Sequence, residues 1–293
     1  METSQQRAGT TIAQALDEAA AELRAAGVSE ARRDAGLLIM HALACDRAFL
    51  IAHGDDVIDT DAHTKLRRAV ARRARGEPLQ YITGRQEFYG LDFEVTPDVL
   101  IPRPETELLV EAALELLRDT RAPRLCDVGT GTGCISITLL YERRDARAVA
   151  LDISPAALAV AARNAARHGV AARLQLTVSD CFAALAPTTE RFDMILSNPP
   201  YVAEADLAGL QREVREFEPR VALTPGGDGL AVIRRLLADA PQYLAPGGQL
   251  LFEIGFNQHE AVAQLIDKSV WTLLDIRQDL QGIPRTVALR RRG

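Results

Sequence analysis

No apolar run in this 293-residue chain approaches the ~20 residues a helix needs to cross a bilayer. The opening residues, Met1 to Thr10, are polar and lack the apolar segment of a secretory signal, so no membrane association is expected and the cytoplasm is the expected location. Cysteine is scarce. Cys45, Cys126, Cys134 and Cys181 form no Cys-x-x-Cys pair, which excludes a zinc ribbon and a disulfide framework and leaves reduced thiols. No Cys/His arrangement suits haem, and no metal site is expected. An excess of positive charge is missing too. The net charge of −6 argues against a dedicated nucleic-acid binder, since neutralising phosphates takes clustered Lys and Arg, and no stable nucleic-acid binding is expected. The local exception, Arg67, Arg68, Arg72, Arg73 and Arg75, reads as a solvated helix face. Internal repeats and low-complexity tracts are absent. What remains, 47% hydrophobic and 25% charged residues, describes an ordinary globular chain long enough for two domains. Nothing suggests a self-complementary apolar surface, so a monomer is expected.

Residues 1–76 read as a small helical domain. Thr11 and Gln14 form a capping box, Ile12, Leu16, Ala20 and Leu23 recur at helical spacing, and Gly27 is a stop. Further helices start at Ser29, surround Leu50, and run from Asp61 to Arg75 before Gly76 and Pro78. The domain holds no acid, base or metal cluster; His41 and His53 read as structural, and the domain's expected work is recognition. Residues 77–101 change character: Gln80 to Gly84, and Phe88 to Val95 around Gly90, read as short strands of a linking β-hairpin. Pro102-Arg103-Pro104-Glu105-Thr106-Glu107 reads as the start of a helix over Leu108 to Leu117, its carboxylates suited to the helix dipole. Within 102–293, strand candidates lie at Leu125–Val128, Ala148–Asp152, Leu174–Val178, Asp193–Leu196, Gln249–Glu253, Trp271–Ile276 and Thr286–Leu289, with helices between most of them. The expected fold is α/β: a doubly wound, mostly parallel seven-stranded sheet with an antiparallel end.

Two rim segments carry candidate chemistry. Asp127-Val128-Gly129-Thr130-Gly131-Thr132-Gly133 follows the first strand and opens a helix, so its backbone can pass close to a nucleotide-containing cofactor. The spacing lacks the extra residue of a dinucleotide fingerprint and the Lys-Ser/Thr of a phosphate loop, which makes NAD and ATP poorer fits. Asp152, ending the next strand, can accept from ribose hydroxyls; Asp180 can accept from an adenine amino group, beside Cys181 and with Phe182 as an apolar wall. Asn198-Pro199-Pro200-Tyr201 ends an apolar strand abruptly. The Asn198 side-chain carbonyl and the Pro199 carbonyl suit the two hydrogens of a planar NH2 group, with the Tyr201 ring free to stack on it, which fits an amide or an aromatic amine.

In this order, with the Pro246-Gly247-Gly248 turn, these residues resemble class I S-adenosylmethionine-dependent methyltransferases, and over nearly the whole chain the release factor glutamine methyltransferases of the HemK type. Gln80 to Gly84, Pro102 to Glu107 and Gly226-Gly227-Asp228-Gly229-Leu230 share in that resemblance. It implies S-adenosyl-L-methionine as cofactor, held by Gly129 to Gly133, Asp152, Asp180, Cys181, Phe182 and Asn198. Some relatives carry an aromatic residue where Cys181 stands, so adenine stacking there is weaker or falls to Phe182. It implies as substrate the Gly-Gly-Gln glutamine of class I peptide-chain release factors, methylated at N5, with Asn198, Pro199 and Tyr201 catalytic and Pro200 beside them in the substrate site. The helical domain and hairpin would then clasp the release factor. Adenine-N6 nucleic-acid methyltransferases share the Asn-Pro-Pro-Tyr motif and form the alternative, together with glutamine methylation of a ribosomal protein; the latter enzymes differ after Pro-Arg.

Overall fold

The computed structural model of the chain describes residues 9–186 and 191–292; the polar opening as far as Ala8 lies outside the described residues. The chain forms two compact units, one reaching to Gly84 and including Arg212–Phe217, the other holding Arg85–Gln211 and the chain from Glu218 onward.

The first unit is helical: α1 (Ile12–Ala25), α2 (Ala31–Leu43), α3 (Arg47–Ala52), α4 (Thr60–Ala74) and α5 (Leu79–Thr83). At the head of α1, Gln14 N–H donates to Thr11 Oγ1 at 3.2 Å and Thr11 N–H to Gln14 Oε1 at 3.0 Å, so the expected capping box is present. Ile12, Ala15, Ala19 and Leu23 of α1 close a core with Leu38 and Ile39 of α2 and Leu66 and Val70 of α4. Two expectations need correction. Gln80 to Gly84 is helix rather than strand: Pro78 precedes its first turn, Gly84 at φ 74 ends it, and the Thr83 hydroxyl donates to the Leu79 carbonyl. The arginine cluster is only partly a solvated face. Arg73 is buried, its Nε 2.7 Å from Asp34 Oδ2 and its Nη2 2.8 Å from Glu213 Oε1. Glu213 lies on α9 (Arg212–Phe217), which brings a distant stretch of sequence into this unit.

The second unit opens with the hairpin β1 (Arg85–Phe88) and β2 (Leu91–Glu94), turned by Tyr89 and Gly90 at φ 52 and 74, the left-handed pair that a two-residue connection favours. Tyr89 N–H donates to Glu107 Oε1 at 2.8 Å, so one of the carboxylates expected at a helix start also fastens the hairpin turn. Beyond the hairpin come α6 (Glu107–Leu116), β3 (Arg124–Val128), α7 (Cys134–Glu142), β4 (Arg147–Asp152), α8 (Pro155–Arg167), β5 (Leu174–Val178), β6 (Phe192–Ser197), α10 (Arg220–Leu223), α11 (Ala231–Asp239), β7 (Leu244–Glu253), α12 (His259–Leu265), β8 (Trp271–Gln278) and β9 (Pro284–Arg291).

The seven-stranded sheet has the order β5-β4-β3-β6-β7-β9-β8, parallel from β5 to β7, with β9 antiparallel to both β7 and β8. Alternation along β6 sorts the two faces. Met194 and Leu196 join Leu109, Val110, Ile135 and Leu139 beneath α6 and α7, while Ile195 joins Ile233, Leu236 and Val262 beneath α11 and α12. Strands covered on both sides must be apolar along their length, which confines polar chemistry to their ends.

Replacing Arg73 by Ala would leave Asp34 and Glu213 facing each other without their shared cation, a loss of about 3 kcal/mol for a buried pair broken on one side. Urea unfolding of Arg73→Ala should show the helical unit melting at a clearly lower denaturant concentration than in the unaltered chain.

Candidate active site

Strand register sets the site. Val128 pairs with Leu151, Asp127 with Leu196, and Ser197 with Phe252, so the next residues along four neighbouring strands are Gly129, Asp152, Asn198 and Glu253. These four leave the sheet in one row at its carboxyl edge, where open α/β sheets bind ligands. The Ser197 hydroxyl donates to the Val128 carbonyl at 2.7 Å and ties the two central strand ends together.

Above the row lies a cavity of about 320 Å³, in the range of small-molecule sites. Val128, Gly129, Thr130, Gly131 and Thr132 form part of its wall, with Asp152, Ile153, Asp180, Cys181, Asn198, Pro199 and Pro200. The glycine loop is held from beneath. Gly129 and Thr130 N–H groups donate to the Leu151 carbonyl at 2.8 and 3.0 Å, and Gly131 N–H donates to Asp152 Oδ2 at 2.8 Å. The other oxygen of Asp152 accepts from Ser154 N–H at 2.9 Å. Burial raises the Asp152 carboxyl above its ordinary range while these two N–H groups oppose the rise. Gly129 and Gly131, at φ 74 and 54, have open space where a side chain would project, so a ligand can approach the backbone closely. Gly133 instead serves packing: a Cβ there would sit 2.6 Å from Ile137 Cδ1.

The Asn-Pro-Pro-Tyr loop is braced by groups behind it. Asn198 Nδ2 donates to Thr106 Oγ1 at 3.0 Å, Thr106 Oγ1 donates to Glu253 Oε2 at 2.7 Å, and Tyr201 Oη donates to Glu253 Oε1 at 3.1 Å. The Tyr201 carbonyl accepts from Gln258 Nε2 at 2.9 Å. Gly229, in the Gly-Gly-Asp-Gly-Leu stretch, lies so close that a Cβ would fall 2.3 Å from that same carbonyl oxygen. Glu253 is fully buried, and loss of solvation pushes its carboxyl up to about 7 against the hydrogen bonds from Thr106 and Tyr201. Burial, followed by the charge of Glu253, raises the Tyr201 phenol as well.

Most of the residues singled out from the sequence meet at this cavity: Gly129, Thr130, Gly131, Thr132, Asp152, Asp180, Cys181, Asn198, Pro199 and Pro200. Three do not. Gly133, the N-cap of α7, is the packing glycine just described. Phe182, expected as a cavity wall, is buried and stacked on Tyr243 at 4.9 Å between ring centres; Cys181, in a left-handed turn (φ 48), is on the wall instead. Tyr201 is not among the residues of the cavity wall, and its hydroxyl is on Glu253. Asp180 is on the wall but held by Arg235, Nη1 to Oδ1 at 2.7 Å. Sequence reasoning missed Thr106 and Glu253. An acid closing the apolar run Leu250-Leu251-Phe252 was the available signal for the second.

The arrangement defines a class I methyltransferase domain, and chains of that kind share its fold. A methyltransferase from Pyrococcus furiosus aligns over 70% of this chain and 91% of its own with a TM-score of 0.52 at 18% identity. The hMettl16 catalytic domain, solved with the MAT2A 3'UTR hairpin 6, aligns over 76% and 81% with a TM-score of 0.55 at 19% identity. Family models match as "PrmC N-terminal domain" over residues 14–84 and "Methyltransferase small domain" over residues 105–235. The curated release factor glutamine methyltransferase of Cereibacter sphaeroides is 49% identical over 95% of this chain and 98% of its own; that of Koribacter versatilis is 45% identical over 96% and 99%. The chain belongs to the release factor glutamine methyltransferase family.

Asp127, beneath the glycine loop, is fully buried with Oδ2 accepting from the Thr130 hydroxyl at 2.6 Å, and burial raises its carboxyl from 3.8 to about 6. The folded chain therefore binds this proton more tightly than the unfolded chain, and stability falls as pH rises from about 4 through about 6, by about 3 kcal/mol from this group. Asp127→Asn, whose amide oxygen can still accept from Thr130, should remove that part of the slope, as read from urea midpoints at several pH values.

Proposed function

We propose that this chain transfers the methyl group of S-adenosyl-L-methionine to the side-chain amide nitrogen, N5, of the Gly-Gly-Gln glutamine in class I peptide-chain release factors. The observation that carries the reading is the Asn198-Pro199 pair of carbonyl acceptors on the wall of a cavity floored by an open glycine loop, in a chain nearly half identical to curated enzymes of that name. The cavity residues fit the cofactor. Asp98, Asp152 and Asp180 line it, while the cation among them, Arg235, is paired with Asp180, a balance that favours a sulfonium over a polyphosphate. Asp152 offers its carboxylate to ribose hydroxyls, Gly129 to Thr132 bring backbone close, and Cys181, Ile153 and Val232 give apolar surface for the adenine end.

When bound, S-adenosyl-L-methionine supplies an electrophilic methyl group on a sulfonium. An amide nitrogen is a weak nucleophile because its lone pair is delocalised, so the protein's part is alignment and charge stabilisation. Asn198 Oδ1 and the Pro199 carbonyl accept the two amide hydrogens, which fixes the nitrogen and turns its face toward the methyl donor. As the new N–C bond forms the methyl–sulfur bond breaks, with neutral S-adenosyl-L-homocysteine as the leaving group; the positive charge would pass from sulfur to nitrogen, and the same two carbonyl dipoles would stabilise it without reorganising. The methylated nitrogen is strongly acidic and gives its proton to solvent, so no general base is assigned. Pro200 stiffens the loop, and Tyr201 acts through Glu253.

Residues 1–76 are proposed as the recognition domain, 77–101 as the linking segment and 102–293 as the methyltransferase domain. The match to a PrmC N-terminal domain supports a binding role for the first. The enzyme is proposed as monomeric and cytoplasmic, and the net charge of −6 supports the absence of stable nucleic-acid binding. Among the described residues, no helix is long and apolar enough to cross a membrane.

Labelled S-adenosyl-L-methionine offered with a release factor, the same factor with its Gly-Gly-Gln glutamine replaced, a ribosomal protein and adenine-containing DNA tests the reading. Label should enter the intact factor alone; label in DNA or in the ribosomal protein would move those alternatives ahead. Asn198→Ala should lower kcat on the order of 100-fold, the scale for one lost preorganised dipole, while cofactor Kd changes only a few fold.

A further inference from the structure

The chain Asn198–Thr106–Glu253–Tyr201 has a direction. Tyr201 Oη and Thr106 Oγ1 occupy the two oxygens of Glu253, at 3.1 and 2.7 Å. A carboxylate only accepts, so each hydroxyl donates its hydrogen bond to it. Thr106 has one hydroxyl hydrogen. With that hydrogen committed to Glu253, its oxygen can only accept from Asn198, 3.0 Å away, and Asn198 must turn its NH2 end toward Thr106. The oxygen of the planar amide is thereby left to the cavity that Asn198 lines. Thr106 and Glu253 are both buried.

We propose that Glu253 is a positioning residue that, acting through Thr106, sets which end of the Asn198 side chain faces the substrate. The inference rests on the methyltransferase reading above. A neutral group at 253 relaxes the constraint: a protonated acid or an amide can itself donate to Thr106, whose hydroxyl hydrogen then turns to Asn198 and draws the amide oxygen inward. The NH2 end of Asn198 would then meet the NH2 of the substrate, donor against donor. The groups around Glu253 frame its titration. Arg285 on β9 favours the charged form, Glu105 beside the Thr106 turn opposes it, the Tyr201 and Thr106 hydroxyls favour it, and the buried Cys134 thiol of α7 is near enough to feel its charge.

The full chain is assayed with a release factor, using Glu253→Gln, Thr106→Val and Thr106→Ser. E253Q and T106V should lower kcat on the order of 100-fold with cofactor Kd within a few fold of the unaltered chain. T106S, which keeps the hydroxyl, should retain activity within a few fold. In the unaltered chain kcat should fall as pH drops through about 7, where Glu253 takes up its proton, and E253Q should lack that acid limb. The Asn198 side-chain NH2 resonances of 15N-labelled protein, observed without substrate, should move on E253Q and through the same pH range. Unchanged kcat in E253Q, equal damage from T106S and T106V, or Asn198 resonances indifferent to E253Q would each overturn the proposal. No methyl transfer by the unaltered chain would overturn the functional reading, while the resonances still decide the orientation of Asn198.

Discussion

Parallel pairing of β4, β3, β6 and β7 in a fixed register is the constraint on which the site depends. Each strand is apolar within the sheet because helices cover both faces, and each changes character at the same level. A slip of one residue in any strand would turn its core side chains to the opposite face, so the hydrophobic pattern that stabilises the sheet also fixes the functional row. Gly129, Asp152, Asn198 and Glu253 are therefore placed by packing, before any ligand contributes. Ser197, bonded to the Val128 carbonyl, locks the two central strand ends where the demand for accuracy is greatest.

The two sides of the row are supported differently. On the cofactor side, backbone N–H groups do the holding: Gly131 and Ser154 both donate to Asp152, so the carboxylate proposed for the ribose also shapes the loop. On the side proposed for the substrate, side chains hold side chains, and the partners come from far along the sequence, Thr106 from the turn before α6 and Glu253 from the end of β7. A site that must distinguish one end of an amide from the other needs polar groups whose donors and acceptors are all assigned. Burial makes such an assignment stringent, because an unmatched buried group costs on the order of 1–3 kcal/mol.

Local patterns carried much of this in the sequence. Alternating and continuous apolar runs gave the seven strands, and the Thr11 capping box is present as read. Gln80 to Gly84 misled because Tyr and Ile favour strands in general, while Pro78 and Gly84 bracket a single helical turn. Phe182 misled for another reason: position next to Cys181 says nothing about which way a ring points once Cys181 adopts φ 48. Arg73 lay in a run of arginines that looked uniform, and only the tertiary arrival of Asp34 and Glu213 singles it out. Thr106 and Glu253 were in view as a helix start and a strand end, but their joint meaning needs β6 beside β7 and the turn before α6 above both.

The Tyr201 geometry shows why a shared motif does not carry a shared substrate. Adenine and glutamine both offer a planar NH2, and the Asn-Pro carbonyls suit either. The tyrosine that closes the motif is fixed by groups outside it: its hydroxyl is bound to Glu253, its carbonyl to Gln258, and Gly229 packs against that carbonyl with no room for a side chain. A ring anchored at its hydroxyl and pinned at its backbone holds one orientation behind the loop. The choice between the two targets is then left to the groups around the loop, and those groups, Thr106, Glu253 and Gln258, come from outside the motif.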